Sequence, residues 1–167
     1  MTRILHGEPL TNEEREQINA SKAYFQRARD AFRLKGMAEE KLQEAIASAE
    51  SISIDYSGMP SGKSKTSKQQ LILENVEERK ARLVAEVDEW NRICNEADDV
   101  IRNLPPDEQE VLSYYYESFI GMEEIARRKF YSRGQCYRIF RNGLIRSYQF
   151  IPYDFLLEYL ATHRDTK

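Results

Sequence analysis

Apolar residues recur at alternating spacings of three and four along the stretch from about Gln69 to Asn103. Seven residues make about two helical turns, so this repeat predicts a long helix with one apolar stripe that requires a helical partner. Lys80 is its only polar member. The ten stripe positions are Leu73, Val76, Lys80, Leu83, Val87, Trp90, Cys94, Ala97, Ile101 and Leu104.

An earlier stretch predicts that partner. Thr11, followed three residues later by Glu14, is the pattern of a capping box for a helix that runs to about Ala49. The helix carries a second apolar stripe, which consists of Ile18, Phe25, Ala28, Phe32, Leu42, Ile46 and Ala49. Residues 51–70 are rich in Ser, Lys and turn-forming Gly and Pro, and predict a loop. We therefore expect a long antiparallel, coiled-coil-like hairpin over residues 11–103, after a flexible tail of residues 1–10.

Three shorter helices are predicted over residues 104–148. Pro105 and Pro106 start the first, because proline is favoured at the beginning of a helix. The second spans Met122 to Lys129. Ser132 opens the third, which runs to Ser147, and Gln135 completes a second capping box. The expected fold is all-α, with a helix-turn-helix domain at 104–148 and one more short helix in the tail of 149–167.

The predicted helix from Ser132 to Ser147 has two faces. One face is apolar or small, with Cys136, Ile139, Phe140, Gly143 and Leu144, and the other is basic and polar. An α-helix fits the major groove of DNA, where arginine can contact guanine or a phosphate. We expect base or groove contacts from Arg133, Gln135, Tyr137, Arg138 and Arg141, and phosphate contacts near Arg127, Arg128, Lys129 and Ser132.

Charge is distributed unevenly along the 167 residues. From Arg127 to Tyr153 there are seven Lys or Arg and no acid, whereas residues 1–126 carry 16 Lys or Arg against 25 Asp or Glu. The net charge of −3 thus hides a basic segment on an acidic body. A basic helix face can also be ordinary solvated surface of a small bundle, and charge alone leaves that alternative open.

Other kinds of chemistry have little support in the sequence. Cys94 and Cys136 both occupy inward-facing helical positions and are interpreted as core residues of a reducing compartment. His6 and His163 lie near opposite ends, so we expect no metal site. The sequence has no nucleophile with a histidine nearby and no glycine-rich phosphate loop, so we expect no cofactor and no enzyme activity. No apolar run approaches the roughly 20 residues of a membrane span, and the N-terminus lacks an apolar signal stretch. We expect a cytoplasmic protein.

The segment from Leu104 to Tyr148 resembles region four of bacterial sigma factors. Three motifs carry the resemblance: L-P-P-x-x-x-x-V-L-x-x-x-Y, E-E-I-A and S-R-x-x-C-Y-R. From about residue 15 to 148 the chain also resembles sigma-region-four-like proteins of phages and prophages of Gram-positive bacteria, related to ArpU- and RinA-type late regulators. In that family a helical hairpin with a loop similar to Tyr56-Ser57-Gly58-Met59-Pro60 precedes the module. The modules usually carry glycine where this chain has Phe130.

The resemblance implies a sequence-specific DNA-binding regulator of phage or prophage transcription. One alternative is a sigma-like adaptor that binds RNA polymerase, and another is a DNA-packaging oligomer similar to small terminase subunits. A two-helix hairpin is thin, and two recognition helices suit a DNA repeat, so we expect a homo-oligomer, namely a dimer, on double-stranded DNA.

Overall fold

The computed structural model describes residues 9–56 and 65–163, with the side chains of residues 9–51 and 70–163. Every regular element within those ranges is helical. Six α-helices occur there: α1 (Asn12–Tyr56), α2 (Lys65–Arg102), α3 (Pro106–Tyr116), α4 (Met122–Lys129), α5 (Arg133–Ser147) and α6 (Tyr153–His163). A 3₁₀ turn, Tyr148–Phe150, follows α5. The expected all-α fold class is confirmed. The predicted tail of residues 1–10 lies largely outside the described residues.

The start of α1 follows the predicted capping box. The backbone N–H of Glu14 donates to Oγ1 of Thr11 at 3.1 Å, and the N–H of Thr11 donates to Oε2 of Glu14 at 2.9 Å. These two bonds satisfy donors that a helix cannot satisfy internally. The first turn also carries Glu13 and Glu14, whose charge complements the positive end of the helix dipole.

The connection predicted over residues 51–70 is wrong in its bounds. Helix α1 continues past Ala49 to Tyr56, and α2 begins at Lys65 instead of Gln69. Extending an existing helix fixes few further dihedrals for each new hydrogen bond, so weak helix formers such as Ser51 are carried along by the preceding turns. The predicted turn formers Gly58, Pro60 and Gly62 lie outside the described residues.

Burial along α2 follows the predicted stripe. All ten positions from Leu73 to Leu104 are buried or half-buried, and Cys94, Ala97 and Ile101 are at most 4% exposed. Lys80 is half-buried, and its Nζ lies 3.9 Å from Oε2 of Glu77. Val84, one place after Leu83, is 41% exposed, whereas Ile93 and Val100, which also neighbour stripe positions, are buried at 7% and 4% exposure. The repeat therefore identified the inward side of this helix.

The inward side of α1 is only partly the one predicted. Its most buried positions in the second half are Ala31, Ala38 and Ala45, each at most 4% exposed and spaced by seven residues. Phe32 and Leu42, which were assigned to the stripe, are half-buried. Small side chains such as these alanines allow a neighbouring backbone to approach closely. Larger side chains such as Phe32 and Leu42 pack at the sides of such a contact.

The chain divides into two compact units. One consists of the residues up to Asp30 and from Ile93 onward, and the other of residues 31–92. In the first unit the rings of Phe25 and Tyr116 stack at a centroid distance of 5.1 Å, and Tyr116 stacks on Phe140 at 5.9 Å. Ile125 is 0% exposed and belongs to the buried cluster against which Phe140 packs, and Leu144 is 1% exposed. The N-terminal part of α1 thus belongs to the same core as α3, α4 and α5.

Close packing of α3 on α5 explains the glycine at position 143. A Cβ at Gly143 would lie 3.1 Å from Cδ1 of Leu112 and 3.4 Å from Cβ of Glu108. Leu112 is fully buried, so it has little freedom to withdraw. The glycine allows α5 to approach α3 closely, at a cost in helix propensity of about 1 kcal/mol relative to alanine.

Candidate nucleic-acid interface

The turn between α4 and α5 is built by backbone hydrogen bonds. Helix α4 buries Met122, Ile125 and Ala126, and at its end the N–H of Tyr131 donates to the carbonyl of Ala126 at 2.9 Å. Phe130 adopts the left-handed conformation, with φ 56° and ψ 33°. This is the conformation for which glycine is preferred at a helix C-terminus. The turn redirects the chain into α5 after three residues.

Helix α5 begins at the predicted cap. The N–H of Gln135 donates to Oγ of Ser132 at 3.2 Å. Cys136 is fully buried, and its thiol donates to the carbonyl of Met122 at 3.7 Å. Burial raises the pKa of this thiol, which fits a core residue and confirms the predicted role of Cys136. Leu144 is fixed in the core further along the helix.

The first two turns of α5 present polar side chains to solvent. Arg133, Gln135, Tyr137 and Arg138 are all exposed, together with Gly134. The guanidinium of Arg133 lies 5.8 Å from the centroid of the Tyr137 ring, and its Nη1 lies 3.5 Å from Oε1 of Glu123. Both partners of that ion pair are mostly exposed, so solvent screening makes it weak. The structure therefore leaves all four predicted contact residues accessible, with Arg133 beside Tyr137.

Arg141 lies in a different environment from the other predicted residues. It is half-buried and lines a cleft of about 330 Å³ together with Tyr137 and Arg138 of the same helix. Ile18 and Lys22 of α1 form the opposite side of this cleft. Arg141 is thus less accessible than Arg138, which is exposed at the rim of the same cleft.

The three basic residues at the end of α4 are paired with carboxylates. Nε of Arg127 donates to Oε2 of Glu124 at 2.9 Å, and Nε of Arg128 donates to Oε1 at 2.8 Å. Hydrogen bonds from Arg128 and Arg127 lower the pKa of Glu124. Lys129 pairs with Glu110 of α3, whose hydrogen bond raises the pKa of the lysine. Arg127 is 78% exposed, so it can exchange its partner for a phosphate more easily than Lys129, which is 27% exposed.

Lys22 was missed by sequence reasoning. It is exposed on α1, and it borders Tyr137 in the cleft described above and again in a second cleft that includes Gln26. No local sequence pattern marks Lys22 or Gln26 as a contact residue. Their stretch was assigned to the predicted hairpin and not to the proposed DNA-contacting residues. The packing of α1 beside α5 adds a cation and an amide to the edge of this surface.

Comparisons with protein-family models, curated proteins and solved structures gave no match. A proposed function must therefore be supported by the geometry and chemistry of the surface of α4 and α5. In the described ranges no helix is both long and apolar enough to cross a bilayer. Nor do three or more His, Cys, Asp or Glu side chains in that part of the chain cluster as metal ligands would.

The arrangement can bind a polyanion with a defined surface geometry. A rigid helix presents arginine, glutamine and tyrosine side chains from its first two turns, and the N-terminus of a helix carries positive partial charge. Arginine and glutamine form paired hydrogen bonds with guanine and adenine edges, respectively. Arg133 and Gln135 provide those groups at exposed positions of the first turn of α5.

Proposed function

We propose that the protein is a sequence-specific regulator that binds double-stranded DNA, with α4 and α5 acting as a helix-turn-helix. The observation that carries the proposal is the division of α5 itself. Cys136 and Leu144 hold one side in the core, while Gln135 and Arg138 extend from the opposite side and Arg133 is exposed in the first turn. In this role α5 enters the major groove and α4 crosses the phosphate backbone.

Exposure along α5 limits which residues read bases. Recognition helices of this kind contact base edges with their N-terminal residues. Arg133, Gln135 and Arg138 are exposed in the first turns and are the proposed base readers, whereas half-buried Arg141 lies at the edge of the interface with Lys22. Arg127 and Arg128 are positioned by the chain at the end of α4 to contact phosphates after giving up Glu124.

The resemblance to sigma-region-four-like proteins and late transcriptional regulators of phages supports a phage or prophage origin. Under this proposal α1 and α2 form an antiparallel hairpin that mounts the DNA-binding module, and two chains associate so that two α5 helices read a DNA repeat. Exposed apolar side chains in the unit of residues 31–92 support association. Met37, Leu71, Ile72 and Val84 are between 41% and 60% exposed.

Selection from random duplex DNA tests the proposal directly. The full chain is incubated with a random library at about 150 mM salt, which suppresses contacts to phosphate alone, and the retained DNA is sequenced. We expect an enriched motif, in two copies if the protein binds as a dimer. The Arg138→Ala variant lacks one proposed base contact and should enrich that motif poorly in the same selection. Retention of no motif by the wild-type protein would overturn the proposal.

The pairing of basic residues with acids favours a second candidate function. Glu124 occupies two arginines, and Glu110 occupies Lys129, so part of the positive charge near the proposed interface is neutralised. A module of this kind would bind free DNA weakly and act as a sigma-like adaptor on RNA polymerase. Retention of purified bacterial RNA polymerase by the immobilised chain, without an enriched DNA motif, would favour the adaptor.

A further inference from the structure

Phe130 combines two unfavourable features at one position. Its side chain is 96% exposed, and its backbone is left-handed with φ 56°. An exposed aromatic ring gains little from burial, and the left-handed conformation costs a residue with a Cβ roughly 1–2 kcal/mol. Glycine at this position would remove the exposed ring and also the cost of the left-handed backbone. Backbone strain that the fold does not require points to a contact outside the chain.

Phe119 provides an internal comparison. It is the other non-glycine residue with positive φ in the described ranges, at 57°. Its ring lies 5.3 Å from the guanidinium of Arg29, which also lies 5.0 Å from the ring of Tyr115. Phe119 is 44% exposed. The contact of its ring with Arg29 lies inside its own unit and offsets the strain of its backbone. For Phe130, the described part of the chain shows no ring or cation contact.

The residues on either side hold Phe130 in place. Lys129 pairs with Glu110, and Tyr131 packs against the core cluster that contains Val111 and Ile125. The N–H of Phe130 also donates to the carbonyl of Arg127 at 3.3 Å. The ring therefore projects from a fixed backbone, two residues before the cap of α5. It stands beside the turns of α5 that are proposed to read bases.

We propose that Phe130 contacts the 5-methyl group of thymine at the edge of the major groove. This inference rests on the proposed DNA-binding function and assigns a specificity to one further residue. Thymine methyls are the apolar groups that base pairs display in the major groove, and phenylalanine is among the side chains that contact them. An exposed ring beside a recognition helix matches that chemistry. A uracil at the same position lacks the methyl group and keeps the hydrogen-bonding pattern.

Uracil substitution separates this contact from every other. The DNA is the motif enriched by the full chain, prepared with thymine and, position by position, with uracil. For the wild-type protein we expect one uracil position to weaken binding about fourfold, the loss for one methyl group removed from an apolar contact. Phe130→Gly should bind thymine DNA about fourfold more weakly and should not distinguish thymine from uracil. Phe119→Gly is the matched control and should retain the wild-type discrimination.

Two further measurements keep the outcomes distinct. Phe130→Gly should melt at the same temperature as the wild type or about 2–4 °C higher, so weaker binding would not reflect unfolding. Phe130→Leu keeps an apolar side chain and should retain most of the discrimination. Equal loss on thymine and uracil DNA, or no loss in Phe130→Gly, overturns the thymine contact. Failure of the wild-type protein to enrich any DNA overturns the proposed function instead.

Discussion

Nε of Arg146 on α5 lies 3.1 Å from Oε1 of Glu108 on α3. Glu108 is 7% exposed, and burial raises its pKa while the charge of Arg146 opposes that rise. Its other oxygen, Oε2, is buried without a hydrogen-bond partner in the described structure. Arg146 belongs to the basic segment that first suggested DNA binding, yet its guanidinium serves the packing of α3 on α5.

Loss of the arginine should therefore affect folding more than DNA binding. Arg146→Met leaves the carboxylate of Glu108 buried and unpaired, and we expect the free energy of unfolding at pH 7.5 to fall by about 3 kcal/mol. Urea denaturation measures this loss. In Glu108→Gln/Arg146→Met the buried charge is absent, so much of the stability should return. A double variant no more stable than the single variant would contradict the assigned role.

Two glycines of α5 should respond oppositely to the same substitution. A Cβ at Gly134 would meet no atom within 4 Å, so Gly134→Ala should raise stability by about 0.5–1 kcal/mol through helix propensity. Gly143→Ala gains the same propensity but presses on fully buried Leu112, and overpacking costs about 1–3 kcal/mol. We expect a net loss near 1 kcal/mol. Thermal unfolding of both variants measures the difference, and equal stabilisation would show that Leu112 can move.

Stability should fall as the pH rises from about 4.5 to about 7. Burial, followed by a hydrogen bond with Asp98, raises the pKa of Glu117 from 4.5 to about 7. The folded state then holds a proton that the unfolded state has released between those pH values, so stability present below about pH 4.5 is lost by about pH 7. Glu117→Gln should flatten this fall and stabilise the protein at pH 8 by about 2 kcal/mol. Urea midpoints from pH 5 to 8 measure it.

Asp98→Asn tests the cause of that pH dependence. The substitution removes the neighbouring acid and should move the fall in stability to lower pH, without removing it, because the burial of Glu117 remains. Unchanged pH dependence in both variants would show that Glu117 is not the group responsible.

Local signals predicted the candidate site better than they predicted its surroundings. The bounds of α4 and the cap at Ser132 follow from residues within one turn, and the structure has both as predicted. The buried alanines of α1, such as Ala38, were not anticipated, because a search for large apolar residues favours Phe32 and Leu42. Ion pairs such as Arg146 with Glu108 join distant parts of the sequence, and no local pattern encodes them.

The charge count identified the basic segment but did not show which of its side chains are paired with acids. Seven basic residues without an acid suggested an open cationic surface, but Glu110, Glu123 and Glu124 fold back onto four of them. The cleft that Ile18 and Lys22 of α1 line beside Arg141 was not predicted either, because α1 was expected to pair with α2 along its whole length. Tertiary packing decides which members of a basic stripe remain accessible.

Self-association should depend on residues 31–92. Ile72 and Val84 are 46% and 41% exposed on α2, and two chains that cover such side chains gain apolar burial. We expect a dimer by size-exclusion chromatography with light scattering at micromolar concentration, and a monomer for Ile72→Glu/Val84→Glu. Leu157→Glu, on exposed α6, is the matched control and should stay dimeric. A monomeric wild type would contradict the proposal, and a ring of about eight or more chains would favour DNA packaging.

Three cations near the proposed interface should behave differently towards DNA. Arg138 lies on the exposed face of α5, so Arg138→Ala should weaken binding to the selected motif by about 1–3 kcal/mol and leave non-specific DNA less affected. Arg127 is 78% exposed, and Arg127→Ala should weaken binding to all sequences and reduce the salt slope by about 1. Lys129→Ala should change the slope less, because that lysine is held by Glu110. Fluorescence anisotropy from about 50 to 200 mM salt, on the selected motif and on scrambled DNA, separates the three effects. Equal losses on both DNAs for Arg138→Ala would remove its base-reading role, and a full unit change in slope for Lys129→Ala would show that its ion pair opens on DNA.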